Sequence, residues 1–431
     1  MTATLQSNRY EERLPDHLIQ AGSERLADEQ QVFLRSQALN YRFTQQELRQ
    51  LCDMAADLAM WGAGPIDRIW PELHEDQLGP KQRRQRILKQ IRDHWQGLRE
   101  QPVKYPAIPV SHGYTAERIR RVQVEKDRLG LGWCPVASPR TRCCNLLTLD
   151  AVENCGFDCS YCSIQSFYHG DEVRFDSRFA EKLARLEMDP ERTYHIGTGQ
   201  SSDSLMWGNQ AGILDALLDF AVRHPNVILE LKTKSKNISH LLKHEVPPNV
   251  LCTWSLNTPT LIANEEHLTA SLDERLNAAR RLADKGVVVG FHFHPMIRYD
   301  RWREEYGELF QRLTDGFDAE EVALVSLGTL TYIKPVIKQL RARPGFQSKV
   351  LQMPMVEADG KLSYPDEIKR EMFSFAYHTL APWHERVFFY LCMENPRLWE
   401  PIFGFDYPDN EAFEAAMKAS YLEKIEQKRR N

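Results

Sequence analysis

No apolar run in this 431-residue chain approaches the roughly 18 residues that a membrane-spanning helix requires. Low-complexity tracts and repeats of fixed period are also missing, so neither a disordered linker nor a solenoid accounts for it. Nine cysteines are few for a disulfide-built scaffold, and the odd number leaves at least one unpaired. Charge of a single sign is lacking: 55 Lys and Arg stand against 60 Asp and Glu, a net −5 that by itself gives no hint of nucleic acid. The N-terminus, MTATLQSNRYEERLPDHL, is polar and mixed in charge, unlike a secretory signal. A cytoplasmic location with no membrane partner is therefore the expectation. What remains is an ordinary folded composition, 42% hydrophobic and 27% charged, at a length that suits two or three domains.

Two features are unevenly spread. Pro80 to Arg128 holds thirteen Lys and Arg against five Asp and Glu, a local +8, which leaves the rest of the chain at −13. Cys134, Cys143, Cys144, Cys155, Cys159 and Cys162 crowd one short window, whereas Cys52, Cys252 and Cys392 are scattered and read as buried small hydrophobes.

From about Asn145 onward, short apolar runs alternate with amphipathic helical patterns. Strands are expected at Leu146–Val152, Arg192–Gly197, from Asn226, from Val250, at Val287–Phe293 and at Glu321–Leu327. Helices are expected near Ser177–Glu187, from about Ala211 to Arg223, from the Ser271/Glu274 capping box to Gly286, and from about Asp300. Six β/α units in succession imply a parallel sheet, because parallel neighbours need helical crossovers. The economical fold is α/β, a partial (β/α)6 barrel with its chemistry at the carboxyl ends of the strands.

The boundaries read as an N-terminal helical, partly basic region over 1–140, the barrel over 141–400, and a C-terminal surface helix over 401–431. Helices are expected at Thr44–Trp61, Lys81–Arg99 and Tyr114–Gly130, with Pro102, Pro106 and Pro109 marking irregular chain and no strand of comparable quality before residue 140. A helix near Pro365–Tyr377 and the run ERVFFYLCM close the fold.

The sequence Cys155-Gly-Phe-Asp-Cys159-Ser-Tyr-Cys162 has the spacing C-x3-C-x2-C directly after an expected strand. Three thiolates this close suit a soft metal or an iron–sulfur cluster. A structural zinc is the alternative, with Cys143 or Cys144 as its fourth ligand. His292 and His294 alternate with Phe291 and Phe293, so both imidazoles face one side of their strand, where they either touch substrate or simply form hydrogen bonds on a packed strand. Cys143 and Cys144 are candidates for a hydrogen donor near the cluster, against a plain buried role. Lys81–Arg99, with His94 and Trp95, is either a phosphate-gripping helix or a solvated face.

The cysteine motif resembles the signature of the radical S-adenosylmethionine (SAM) superfamily, and the six β/α units match its partial barrel. The resemblance runs from about Asn145 to Cys392. It implies a [4Fe–4S] cluster on Cys155, Cys159 and Cys162, whose open iron binds SAM and cleaves it to a 5′-deoxyadenosyl radical. The stretches CSYCSIQ, GTGQSSDSL, LKTKSKNISHLL, WSLNTP and GFHFHPMI follow in the order found in the spore photoproduct lyase family, whose enzymes reverse a thymine–thymine lesion in DNA. That similarity places Tyr161 against the SAM adenine and makes Ser202, Asp203, Lys234 and Ser255 SAM contacts. Gly197, Thr198 and Gly199 stand where the superfamily has a glycine-rich turn close to the SAM amino group.

Two departures qualify the likeness. The lyase returns a hydrogen atom from a cysteine three residues before the Asp of the strand-two loop, where this chain has Gln200, and it carries a tyrosine after the third cluster cysteine, where this chain has Ser163. The expected function is a lyase-related radical SAM enzyme acting on a DNA lesion or other nucleic acid, served by an electron donor such as flavodoxin or ferredoxin, without the family's hydrogen-return path. The alternatives are a radical SAM enzyme for a protein or small molecule, and a non-catalytic binding protein that keeps the cluster.

Overall fold

β-Branched and aliphatic runs, each followed by an amphipathic helix, assemble one eight-stranded sheet. A computed structural model describes residues 2–72, 78–106, 119–134, 140–165, 172–343, 345–358 and 360–430. The strands are β1 (Leu131–Trp133), β2 (Leu147–Leu149), β3 (Tyr194–Thr198), β4 (Val227–Thr233), β5 (Val250–Ser255), β6 (Val288–Met296), β7 (Val322–Thr329) and β8 (Phe388–Leu391). They neighbour one another in chain order from one edge to the other. Every pairing from β2 to β8 is parallel, and β1 is antiparallel to β2. This curled sheet is the expected partial barrel, extended by a seventh parallel strand, β8, that the FFYL run supplies.

Strand alternation sorts the side chains. One face of the sheet carries Phe291 and Phe293, which meet Phe317 and Phe310 at centroid distances of 5.1 and 5.0 Å. Those aromatics belong to the covering layer that includes the helices Ile213–Arg223, Leu272–Asp284 and Trp302–Gly316. The other face carries His195, Glu230, Lys232, Thr253, His292, His294 and Ser326, which hydrogen-bond among themselves. The apolar layer stabilises the sheet, and of the polar face Lys232 and His294 reach the cavity described below.

Contacts divide the chain into two units, Met1–His112 with Tyr332–Met355, and Gly113–Thr331 with Val356–Asn431. In the first, Thr2–Ala21, Asp28–Tyr41, Gln45–Met60 and Pro80–Glu100 are helical, joined by the later helix Lys334–Ala342. Buried Asp57 is its polar hub. Both its oxygens accept from Arg341 at 2.7 Å, and Trp95 Nε1 donates to it at 3.0 Å. Trp95 also stacks on Trp61 at 5.9 Å, so this aromatic of the basic helix serves packing. Arg84 pairs with Glu47 at 3.2 Å, and Arg99 donates to Met353 O at 3.0 Å.

Two expectations change in the second unit. The described part of Tyr114–Gly130 contains a strand, Arg120–Val124, paired in parallel with Glu172–Asp176, and β1 adds another strand before residue 140; Pro109 and Tyr114–Arg118 lie outside the described residues. The run RVQV alternates as a half-exposed strand does, and the charges around it imitate a helical face. The last helix, Asn410–Arg430, is more than a surface element, because Phe413, Met417, Tyr421 and Ile425 are buried. Tyr421 reaches the His195 ring at 5.4 Å, and Lys418 Nζ donates to Thr193 O at 2.9 Å, next to the amino end of β3.

Candidate active site

At the carboxyl ends of the strands, a cavity of about 250 Å³ opens among the loops. Cys155, Cys159 and Cys162 all line it, together with Tyr161, Gly199, Ser202, Asp203, Lys234 and Ser255. The loop after β2, the two loops after β3 and β4 and the tip of β5 thus deliver to one place what the sequence scatters over a hundred residues. Gly197 and Thr198 do not line the cavity. Gly197 sits under Leu146, where a Cβ would come within 2.9 Å of its side chain. Thr198 Oγ1 shares a hydrogen bond with Ser204 Oγ at 2.7 Å, below the loop.

The cysteine loop is anchored from far along the chain. Its Asp158–Cys159 segment pairs antiparallel with Glu266–His267. Ser160 N–H donates to Glu265 O at 2.9 Å, and the Ser160 hydroxyl donates to the Glu265 carboxylate. The Tyr161 hydroxyl donates to Glu266. Glu266 in turn is held by the fully buried Arg275 at 2.5 Å, and Arg275 Nη1 donates to Ser255 O at 2.8 Å. One guanidinium therefore ties the cysteine loop and the end of β5 together. Burial pushes the Glu266 carboxyl up, but Arg275, Lys234 and the Tyr161 hydroxyl more than offset it and leave it below the ordinary range.

Asp203 plays a comparable part on the next two loops. Only 8% exposed, it accepts from Leu205 N at 3.0 Å, Met206 N at 2.9 Å, Thr233 Oγ1 at 2.7 Å and Lys234 N at 2.7 Å. Its charge is answered by protein donors, so its first task is to fix the loops that carry Ser202 and Lys234. Lys234 Nζ lies 5.6 Å from the centre of the Tyr161 ring, a cation over an aromatic face. Gly199 has φ +75°, and a Cβ there would come within 2.7 Å of Ser204 N, so the turn needs glycine.

These residues fit a cluster with one open iron. Three soft donors face a common space, and the Phe157 N–H donates to Cys155 Sγ at 3.4 Å, a contact that stabilises a sulfur ligand. Burial pushes the Cys155 and Cys159 thiols up, and Lys234 opposes it; a bound metal holds such groups as thiolates. Cys143 and Cys144, the fourth ligand of the zinc alternative, are not among the lining residues. Cys143 lies buried before β2, its thiol drawn down to about 7 by a hydrogen bond from Cys144.

The two histidines part company. His294 lines the cavity, with Nε2 at 2.7 Å from Ser326 Oγ and Nδ1 at 3.4 Å from Lys232 Nζ. His292 sits one layer deeper, 2.7 Å from Glu230, whose other oxygen is 2.8 Å from His195; burial lowers its pKa to about 4. Gln200 and Ser163, the two departures, both line the cavity. Sequence reasoning missed Lys232, which lines the cavity from the end of β4, two residues before Lys234. It also placed Cys392 among the packing cysteines. Cys52 and Cys252 are fully buried, but Cys392 lines the cavity.

The model of the family described as spore photoproduct lyase matches residues 151–341. Among curated proteins, the spore photoproduct lyase of Clostridium acetobutylicum is 26% identical over 182 residues, 40% of this chain and 53% of that protein. That of Geobacillus sp. (strain Y412MC61) is 28% identical over 183 residues, 41% and 52%. The chain thus spans about half the length of these curated relatives. A solved spore photoproduct lyase complexed with dinucleoside spore photoproduct aligns with a TM-score of 0.53 at 20% identity, over 67% of this chain and 88% of that one. A variant lyase with bound AdoMet and the same dinucleoside gives the same figures. Over residues 151–341 the chain carries the spore photoproduct lyase sequence pattern, on a fold shared with solved structures of that enzyme.

Proposed function

We propose that this protein is a radical SAM enzyme whose substrate is a DNA lesion or another nucleic-acid group, and that it ends its reaction by a route different from the lyase's. The observation that carries the reading is the shared cavity, where three cluster-type thiols meet Tyr161, Gly199, Asp203, Lys234 and Ser255. Cys155, Cys159 and Cys162 would hold a [4Fe–4S] cluster, which would supply the reductive cleavage of SAM that starts the radical chemistry. The chain's own part is positional. Lys234 offers a cation to the carboxylate of SAM, Tyr161 a flat apolar face to its adenine, and Gly199 close backbone approach beside its amino group. Arg275 and Asp203 hold these groups in place from behind.

The nucleic-acid part of the reading draws on the resemblance, on the dinucleoside bound by the solved lyases, and on the exposed Lys81, Arg86 and Lys89 of the basic helix. An electron donor of the flavodoxin or ferredoxin class would serve the cluster.

Anaerobic protein with dithionite and SAM is expected to form 5′-deoxyadenosine, measured by chromatography against the Cys155/Cys159/Cys162 triple alanine variant. No excess over that variant would leave a cluster-bearing binding protein. A panel of photodamaged oligonucleotides then identifies the substrate.

A further inference from the structure

A radical reaction in an enclosed site closes when a hydrogen atom returns to carbon, and an amide or an alcohol holds its hydrogen too strongly to give it. Gln200 and Ser163 are such groups. Among the described lining residues, the only thiol besides the three of the cysteine loop is Cys392. We propose that Cys392 is the hydrogen-atom donor of this cavity. The proposal rests on the radical reading above.

Its surroundings differ from those of a packing cysteine. Cys252 is 0% exposed within its strand. Cys392 follows the end of β8, is partly exposed, and is fixed by its own N–H donating to Leu327 O at 2.7 Å. The next residue, Met393, turns the chain with φ +57°, a conformation a long side chain seldom adopts. Glu394 then locks the turn through Lys369 at 2.6 Å and Thr329 Oγ1 at 3.1 Å. Across from it, Gly328 leaves open the space where a Cβ would lie 3.1 Å from His294 Cδ2 and 3.7 Å from Cys392 Cβ. Gly328 thereby keeps the wall beside the His294 ring clear, next to Cys392.

Burial pushes the Cys392 thiol up to about 12 against the pull of Lys232, so it keeps its hydrogen at neutral pH. In the step itself, a carbon radical takes that hydrogen atom: one C–H bond forms, one S–H bond breaks, and no charge moves. The thiyl radical left on Cys392 regains its thiol with one electron, from the low-potential one-electron donor that serves the cluster, and one proton.

The test does not need the natural substrate. Without one, the 5′-deoxyadenosyl radical is quenched in the same cavity. Protein exchanged into D2O, free of added thiols, is given dithionite and SAM, and deuterium per molecule of 5′-deoxyadenosine is read by mass spectrometry, which removes any change in yield. Wild type is expected to give labelled 5′-deoxyadenosine, and Cys392→Ala and Cys392→Ser to lose most of the label. Cys252→Ala, a packing site, is expected to retain it. Iron content and circular dichroism confirm that each variant is folded, and serine preserves the shape of the site. Label that persists in both Cys392 variants, or in the serine variant alone, overturns the donor role. Wild type that forms no 5′-deoxyadenosine overturns the radical reading and the donor with it.

Discussion

Replacing Arg275 by methionine should be the most damaging single change near the site. The side chain is fully buried and makes four hydrogen bonds, to Ala270 O, Ser255 O, Thr269 Oγ1 and the Glu266 carboxylate, at 2.5 to 2.8 Å. Methionine fills similar volume but leaves Glu266 buried without its cation. Breaking a buried pair from one side costs about 3–5 kcal/mol, a large part of the roughly 5–15 kcal/mol that holds a domain together. The sign with pH follows from Glu266. In the wild type its carboxyl lies below the ordinary range, so the pair's contribution is present above the unfolded carboxyl pKa and is lost as pH falls through the lower folded one. In Arg275→Met, only Lys234 and the Tyr161 hydroxyl remain to oppose burial, so the carboxyl should rise from its wild-type position and protonation should relieve part of the penalty. The gap between variant and wild type should therefore narrow on acidification. Urea-dependent hydrogen exchange of the β5 amides reads the barrel unit alone. The double variant Glu266→Gln/Arg275→Met should recover part of the loss. A gap under about 1 kcal/mol, or one that widens as pH falls, would refute the reasoning.

Gly199→Ala should cost at least about 1–2 kcal/mol, because φ +75° opposes a Cβ that would also press on Ser204 N; calorimetry should show weaker SAM binding, and unchanged binding and melting would count against a tight turn there. Gln200→Cys adds to the cavity a second thiol outside the cysteine loop, besides Cys392. With a dinucleoside lesion it should yield more fully repaired product and fewer radical side products than wild type, and a wild type already free of side products would show that the substitution at 200 is no handicap.

Much of the barrel is legible because its strands are dense in β-branched residues and its helices announce their ends. The Ser271/Glu274 capping box is there as read, with Glu274 N donating to Ser271 Oγ at 3.3 Å. The last helix shows where composition misleads. Phe413, Met417, Tyr421 and Ile425 recur every four residues, a buried stripe, but the charged residues between them dominate the reading. Among site residues, those inside a contiguous motif were found, except Lys232, which lies unremarked within LKTKSKNISHLL. Glu266, Arg275 and Cys392 carry no local signal. Their roles come from which strand ends the sheet order brings together, and that order appears only once the chain is folded.

The pinning of the cysteine loop by Glu265 and Glu266 has a consequence for cofactor assembly. In small metal-dependent modules the ligands come together only around the ion, so loss of metal is loss of fold. Here the backbone ladder at Cys159, the Ser160 and Tyr161 hydroxyls, and Arg275 behind them set the loop's path through protein contacts alone. Loading and folding are then separable events. If a cluster is held there, its loss to oxygen should leave behind a receptacle of the right shape, open to refilling by whatever delivers iron and sulfide, without the barrel having to unravel and start again.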